Sequence, residues 1–65
     1  MKLTYFKDTD TLFIELSRGN IQETRDFDDD TLLELDLEGR ICAITVEQAS
    51  KRTDISEISY KQVGP

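Results

Sequence analysis

The chain has 65 residues and a formal net charge of −6, with 37% apolar and 34% charged residues. At this length only one hydrophobic core fits, so we expect a single small domain over residues 1–65. The negative charge opposes the phosphate contacts that dominate nucleic-acid affinity, so no direct nucleic-acid partner is expected. A basic protein partner suits this charge better.

The residue types also limit the available chemistry. The chain has no histidine, which excludes Ser-His-Asp and Cys-His catalysis and the usual zinc sites. The lone Cys42 cannot form an internal disulfide, and neither a leader segment nor an apolar run of about 18 residues is present. We therefore expect a cytoplasmic protein without membrane association, enzymatic activity, cofactor or metal site.

The first two segments predict a β-hairpin. Apolar and other residues alternate with a period of two before and after a loop at residues 7–10, as in half-buried strands. Antiparallel pairing of Phe6 with Thr11 then places Tyr5 opposite Leu12 and sets the apolar residues of both strands on one face. A slip of one residue would destroy this agreement.

The segment at residues 21–27 allows two registers against the strand that follows it. Pairing Phe27 with Leu32 places Arg25 opposite Glu34, whereas pairing Phe27 with Thr31 places Arg25 opposite Leu33. We prefer the first register, because it matches opposite charges across the strands.

A second hairpin is predicted from residues 31–36 and 42–46. If Glu38 and Gly39 form a two-residue turn, Leu35 pairs with Cys42, and the apolar positions again share a face. After this hairpin the pattern is ambiguous. We favour a short helical turn near residues 48–52 and a last strand near residues 57–62, although Asp54 and Glu57 also fit a helix-capping box.

Together these elements predict an α+β, mainly β domain: an antiparallel meander of four to five strands with a short helical element near the C-terminus. One sheet face is apolar and needs a cover from the C-terminal residues or from a second chain.

Carboxylates are the remaining candidates for chemistry. Asp8 and Asp10 occupy the first hairpin loop, and a second acidic run extends from Asp26 to Asp30. Neither has the ligand spacing of a calcium-binding loop. We interpret Asp10 as a cap for backbone amides of its own loop, and the acidic run as a solvated loop.

The order of short motifs resembles a known family. Tyr5, Asp10 and the Leu-Phe-Ile run at residues 12–14 are followed by Glu23-Thr24, Leu32-Leu33, Gly39-Arg40, Ile44 and Ala49-Ser50-Lys51. In this respect the chain resembles the small prokaryotic domains known as domain of unknown function 2283, over nearly its whole length. It departs from the family pattern at Phe6, Ala43, Thr45 and Glu47. The resemblance implies a small β-rich domain without established enzymatic activity, and by association an antitoxin-like role.

These observations give two functional hypotheses. The first is a protein-interaction domain, antitoxin-like, that binds a small basic protein. The alternative is a self-associating structural domain without catalytic activity, which forms a homodimer through an exposed face or edge strand. The candidate interaction residues are Phe6, Asp10, Phe13, Ser50 and Lys51.

Overall fold

The computed structural model describes residues 1–65, which form one antiparallel sheet of five strands. The strands are β1 (Lys2–Phe6), β2 (Thr11–Glu15), β3 (Glu23–Asp28), β4 (Thr31–Leu35) and β5 (Ile41–Val46), and a 3₁₀ turn at Ala49–Lys51 follows them. The prediction of a mainly β domain is confirmed. The α+β label is overstated, because the helical turn predicted near residues 48–52 is present only as this single 3₁₀ turn.

The first hairpin forms in the predicted register. Phe6 pairs with Thr11, Tyr5 with Leu12, Leu3 with Ile14 and Lys2 with Glu15. The backbone amide of Asp10 donates to the carbonyl of Lys7 across the loop at 3.4 Å. A loop of four residues and matched alternation therefore determine this pairing.

The predicted meander is wrong, because the spatial order of the strands is β1-β2-β5-β4-β3. Strand β5 pairs with both β2 and β4, and residues 16–22 carry the chain from β2 to the far edge. The sequence of β5, ICAITV, is the most apolar of the five, whereas β3 reads ETRDFD. The apolar strand lies at the centre, where neighbours shield it on both sides, and the polar strand lies at an edge.

The register preferred for β3 is also wrong. Arg25 pairs with Leu33, and the register shifts between Asp26 and Asp28, so that Phe27 is an extra residue without a partner on β4. Arg25 forms its ion pair with Glu23 of the same strand at 2.9 Å. Because exposed ion pairs contribute little, a charge match across the strands could not determine the register.

The turn between β4 and β5 is longer than predicted. The amide of Asp36 donates to the carbonyl of Arg40, and the amide of Gly39 donates to the carbonyl of Asp36. Leu35 therefore pairs with Ile41, and Cys42 becomes an extra residue in β5. The predicted pairs of Leu33 with Ile44 and of Thr31 with Val46 are confirmed.

Side-chain alternation gives the sheet two different faces. Over β1, β2, β4 and β5 the apolar face carries mainly aliphatic side chains: Leu3, Tyr5, Leu12, Ile14, Thr31, Leu33, Leu35, Ile44 and Val46. On β3, Glu23 and Arg25 lie opposite Leu35 and Leu33 and share this face. The mixed face combines charged, polar and aromatic side chains: Lys2, Thr4, Phe6, Thr11, Phe13, Glu15, Leu32, Glu34, Ala43 and Thr45.

Full burial is confined to the two ends of the central strands. Leu35, Cys42 and Ala43 are buried at one end, and Thr31 and Ala49 at the other. The other side chains of the apolar face are half-buried or, for Leu3, exposed. The sheet is thus essentially a single layer.

The C-terminal residues do not form the predicted strand at 57–62. The carboxylate of Asp54 accepts hydrogen bonds from the amide and hydroxyl of Ser56, which closes a turn at the start of this segment. The residues that follow have no regular structure, and Ile58, Tyr60 and Val63 are exposed. The expected cover for the apolar face is therefore not supplied by the chain's own C-terminal segment.

Candidate functional site

The most connected polar group is the Asp10 cluster, which consists of Tyr5, Asp10 and Ser50. The Tyr5 hydroxyl donates to Asp10 Oδ1 at 2.6 Å. The backbone amide of Ser50 donates to the same oxygen at 3.0 Å, and the Ser50 hydroxyl donates to Asp10 Oδ2 at 2.7 Å. Both carboxylate oxygens are thus engaged, and the cluster joins β1, the first hairpin loop and the 3₁₀ turn.

The backbone of Asp10 supports the same connection. Its carbonyl accepts a hydrogen bond from the amide of Ala49 at 2.9 Å. Asp10 adopts a left-handed conformation with φ of 54°, and Gln48 does so with φ of 52°. Among residues other than glycine, Asp and Asn adopt this region most readily, which explains an aspartate at the last position of the loop.

The electrostatics of the cluster follow from these contacts. The hydroxyls of Tyr5 and Ser50 hold the pKa of Asp10 below its ordinary value, and the charge of Lys51 acts in the same direction. The carboxylate of Asp10 raises the pKa of Tyr5, because deprotonation would remove the hydrogen bond and place two negative charges together. Asp10 is therefore a stable anion that accepts hydrogen bonds, which is the reverse of the raised pKa of a catalytic acid.

The predicted role of Asp10 as a cap within its own loop is wrong, because its carboxylate binds Ser50, which lies 40 residues further along the chain. The structure does bring together two candidate residues, Asp10 and Ser50. The third residue of the Ala49-Ser50-Lys51 motif, Lys51, donates from Nζ to Gln48 Oε1 at 2.9 Å and makes no hydrogen bond to Asp10.

A second polar group connects the other side of the 3₁₀ turn to the loop between β3 and β4. Arg52 donates from Nη1 to the hydroxyl of the buried Thr31 at 2.8 Å, and Gln48 donates from Nε2 to Asp30 Oδ1 at 3.1 Å. The amide of Glu47 donates to the carbonyl of Asp30 at 2.8 Å. The turn is thus anchored on both sides, and the acidic loop lies beside Arg52.

The acidic residues do not assemble into a metal site of recognisable form. No group of three or more His, Cys, Asp or Glu side chains has the geometry to hold a metal ion. The carboxylate of Asp28 accepts a hydrogen bond from the amide of Asp30 at 3.0 Å. Its pKa lies below its ordinary value because the Thr31 hydroxyl, the Asp30 amide and the charge of Arg52 favour the anion.

The two candidate phenylalanines lie on the mixed face, away from the Asp10 cluster. Phe6 pairs with Thr11 and is half exposed, whereas Phe13 lies between Thr4 and Thr45 and is half-buried. Phe13 also contributes to a shallow groove between the mixed face and residues 15–21. The five candidate residues therefore do not form one site.

Sequence reasoning missed Tyr5 and Arg52 as members of the two polar groups. The family-like motifs contained a signal for the first group, since Tyr5, Asp10 and Ser50 all belong to them. No comparable pattern connects Arg52 to Thr31, which lies 21 residues earlier in the chain.

Comparison with known protein families shows which family the chain belongs to. The model of the family described as protein of unknown function DUF2283 matches residues 2–50. The chain belongs to this family. The match to DUF2283 contains all five strands and ends at Ser50, so it includes every member of the Asp10 cluster. No curated protein and no solved structure matches the chain.

The DUF2283 chain has no helix with the length and apolar character that a membrane crossing requires.

The one thiol of the chain, Cys42, is buried and lies in the register shift of β5, where its Sγ is 3.8 Å from the carbonyl oxygen of Arg40. The side chain packs as a small apolar group at the end of the sheet, in agreement with its predicted place in the core.

Proposed function

We propose that this DUF2283 domain is a protein-interaction domain without catalytic activity, and that its apolar face associates with a second protein surface. The observation that carries the proposal is the incomplete burial of that face. Ile14 and Ile44 lie at its centre and are only half-buried, and Leu3 at its edge is exposed. Removing such apolar surface from water would stabilise a complex by about 25 cal/mol per Å².

The distribution of charge distinguishes the two faces as interaction surfaces. On the apolar face charged side chains occur only on the edge strand β3, where Glu23 and Arg25 lie opposite Leu35 and Leu33, whereas the mixed face carries Lys2, Glu15 and Glu34 on the other strands. The interior of protein interfaces is depleted of charged residues. A symmetric homodimer centred on the uncharged part of this face, over β1, β2 and β5, therefore brings no like charges together there, even though each chain carries a net charge of −6.

A second candidate function is supported by the net charge and by the acidic loop. Asp28, Asp29 and Asp30 are presented at one end of the sheet, where only Arg52 offsets their charge. A small basic protein would find a complementary surface there, as an antitoxin-like role requires. The free thiol of Cys42 is compatible with such a pair in a reducing cytoplasm.

Sedimentation equilibrium at micromolar concentration tests the first proposal. The wild-type chain is expected at twice its 7.5 kDa mass. Leu3→Lys places a charge on the apolar face and should weaken the dimer, whereas Thr4→Lys, one residue further on the same edge strand, places it on the mixed face and should not. Equal association of the two variants would contradict the assignment of the interacting face.

Salt dependence separates the two candidate functions. Self-association through apolar side chains should change little between low and moderate salt, whereas binding to a basic protein should weaken as the charges are screened. Co-expression with the product of the neighbouring open reading frame provides the test protein. Asp29→Asn should weaken that complex and leave the homodimer unchanged.

A further inference from the structure

The C-terminal segment, residues 53–65, is attached to the 3₁₀ turn at its start, where the Thr53 amide donates to the carbonyl of Ala49 and Ile55 is half-buried, but its later apolar side chains are exposed. Ile58, Tyr60 and Val63 are 63%, 87% and 80% exposed. From residue 58 onward no backbone amide or carbonyl bonds to another part of the chain, and the single side-chain hydrogen bond, from the Tyr60 hydroxyl to Gln62, is internal to the segment. The segment therefore has an apolar surface without a partner.

The sequence of this segment suits a strand-like contact with a surface. Ile58 and Tyr60 alternate with Ser59 and Lys61. In an extended conformation successive side chains point to opposite sides, so one side would be apolar and the other polar. A segment of this kind can lie flat on an apolar sheet and keep its lysine in water.

The apolar face is unevenly covered, which indicates where such a segment would lie. Thr31 and Leu35, on β4, are buried at 7% and 4% exposure, whereas Leu3 on the edge strand β1 is 39% exposed. The other edge strand, β3, is also exposed, but it presents Glu23 and Arg25 on this face. The β1–β2 half is therefore the exposed part of the face that carries no charged side chain.

Reach permits a second copy as the acceptor, and the exposure of Ile58, Tyr60 and Val63 shows that the segment does not lie on its own apolar face. Thirteen extended residues span up to about 43 Å, and five strands spaced about 4.8 Å apart extend over about 19 Å, so the segment can cross a neighbouring sheet. With strands about 17 Å long, the face offers a plan area of only about 320 Å². Each partner of a stable complex buries roughly 800 Å² of accessible surface, so contacts beyond this small flat face would strengthen association.

We infer that residues 53–65 act as an exchanged arm: in a symmetric pair of chains, each arm places Ile58 and Tyr60 on the β1–β2 half of the other chain's apolar face. This inference rests on the proposed self-association. It adds apolar area to the contact, since a single buried aromatic side chain contributes about 150–250 Å². The two-fold symmetry makes both contacts equivalent.

Two full-length double variants test the arm. Ile58→Ser with Tyr60→Ser removes its apolar side and should weaken dimerisation at least tenfold in sedimentation equilibrium. Ser59→Ala with Lys61→Ala alters only the polar side and should keep the wild-type dissociation constant. All four positions are exposed in the single chain, so circular dichroism should report the same sheet for both variants.

An isotope-filtered NMR experiment on a mixture of labelled and unlabelled wild-type chains locates the arm. Contacts between the Tyr60 ring and the methyl groups of Leu3 or Ile14 are expected between chains. Contacts only within one chain would overturn the exchange. Equal dimerisation of the two double variants would overturn the arm and leave the association of the apolar faces intact, whereas a monomeric wild-type chain would overturn both.

Discussion

Truncation of Leu35 to alanine tests whether the buried end of the sheet determines stability. The Leu35 side chain is 4% exposed, and its shortening removes three carbon atoms at about 0.8 kcal/mol each, or about 2.4 kcal/mol. A cavity that collapses incompletely increases the loss to about 3 kcal/mol. A domain of this size has a total stability of about 3–10 kcal/mol, so this one substitution removes a large part of it.

Leu37 provides a matched control, because it lies two residues away and is 78% exposed. Leu37→Ala should change the free energy of unfolding by less than about 0.5 kcal/mol. In urea, with a slope of about 1 kcal/mol per M, Leu35→Ala should lower the midpoint by about 3 M. Unfolding should be followed by circular dichroism at one fixed protein concentration, since association contributes to stability. Equal midpoints for the two variants would refute the described packing of this end.

Four further predictions concern the polar groups, the thiol and metal ions. Asp10→Asn should lower the melting temperature more than Asp8→Asn. Because the pKa of Asp10 is lowered in the folded state, the ionised Asp10 carboxylate should stabilise the fold fully above the ordinary aspartate pKa. This stabilisation should be lost as the pH falls through the pKa of Asp10 in the folded protein. In a Tyr60→Phe background, ultraviolet titration should find the phenolate of Tyr5 forming above its ordinary pH range, and Asp10→Asn should shift it back. Cys42 should react with a thiol reagent only after unfolding, so a rapid reaction in the native protein would contradict its burial. Millimolar calcium, magnesium or manganese should leave the melting temperature unchanged. A saturable rise in melting temperature that is absent from the double variant Asp8→Asn, Asp10→Asn would reveal a metal site.

The parts of the fold that sequence predicts well are those determined within about ten residues. The first hairpin follows from a four-residue loop and alternation on both sides, and every predicted pair is present. The second hairpin is correct at Leu33 and Thr31 but fails near its turn, where Asp36 Oδ1 accepts hydrogen bonds from the amides of Glu38 and Arg40. A side chain that organises a longer turn leaves no trace in a pattern of apolar residues.

The register of β3 shows a different limit. All six of its residues are exposed, so no buried face determines which side chains point inward. The preference for pairing Arg25 with Glu34 rested on charge alone. In the structure Arg25 makes two hydrogen bonds to Glu23, which satisfies its charge without any cross-strand partner.

The two largest errors, the strand order and the partner of Asp10, have one cause. Leu12 pairs with Val46, so continuing that antiparallel ladder by two residues brings Asp10 opposite Gln48, at the entrance to the 3₁₀ turn. The contact of Asp10 with Ser50 is therefore a consequence of placing β5 beside β2. In a meander, β3 would lie beside β2, and both β3 and β4 would separate the residues after β5 from the first hairpin loop. Once the central position of β5 is known, the partner of Asp10 follows from the register.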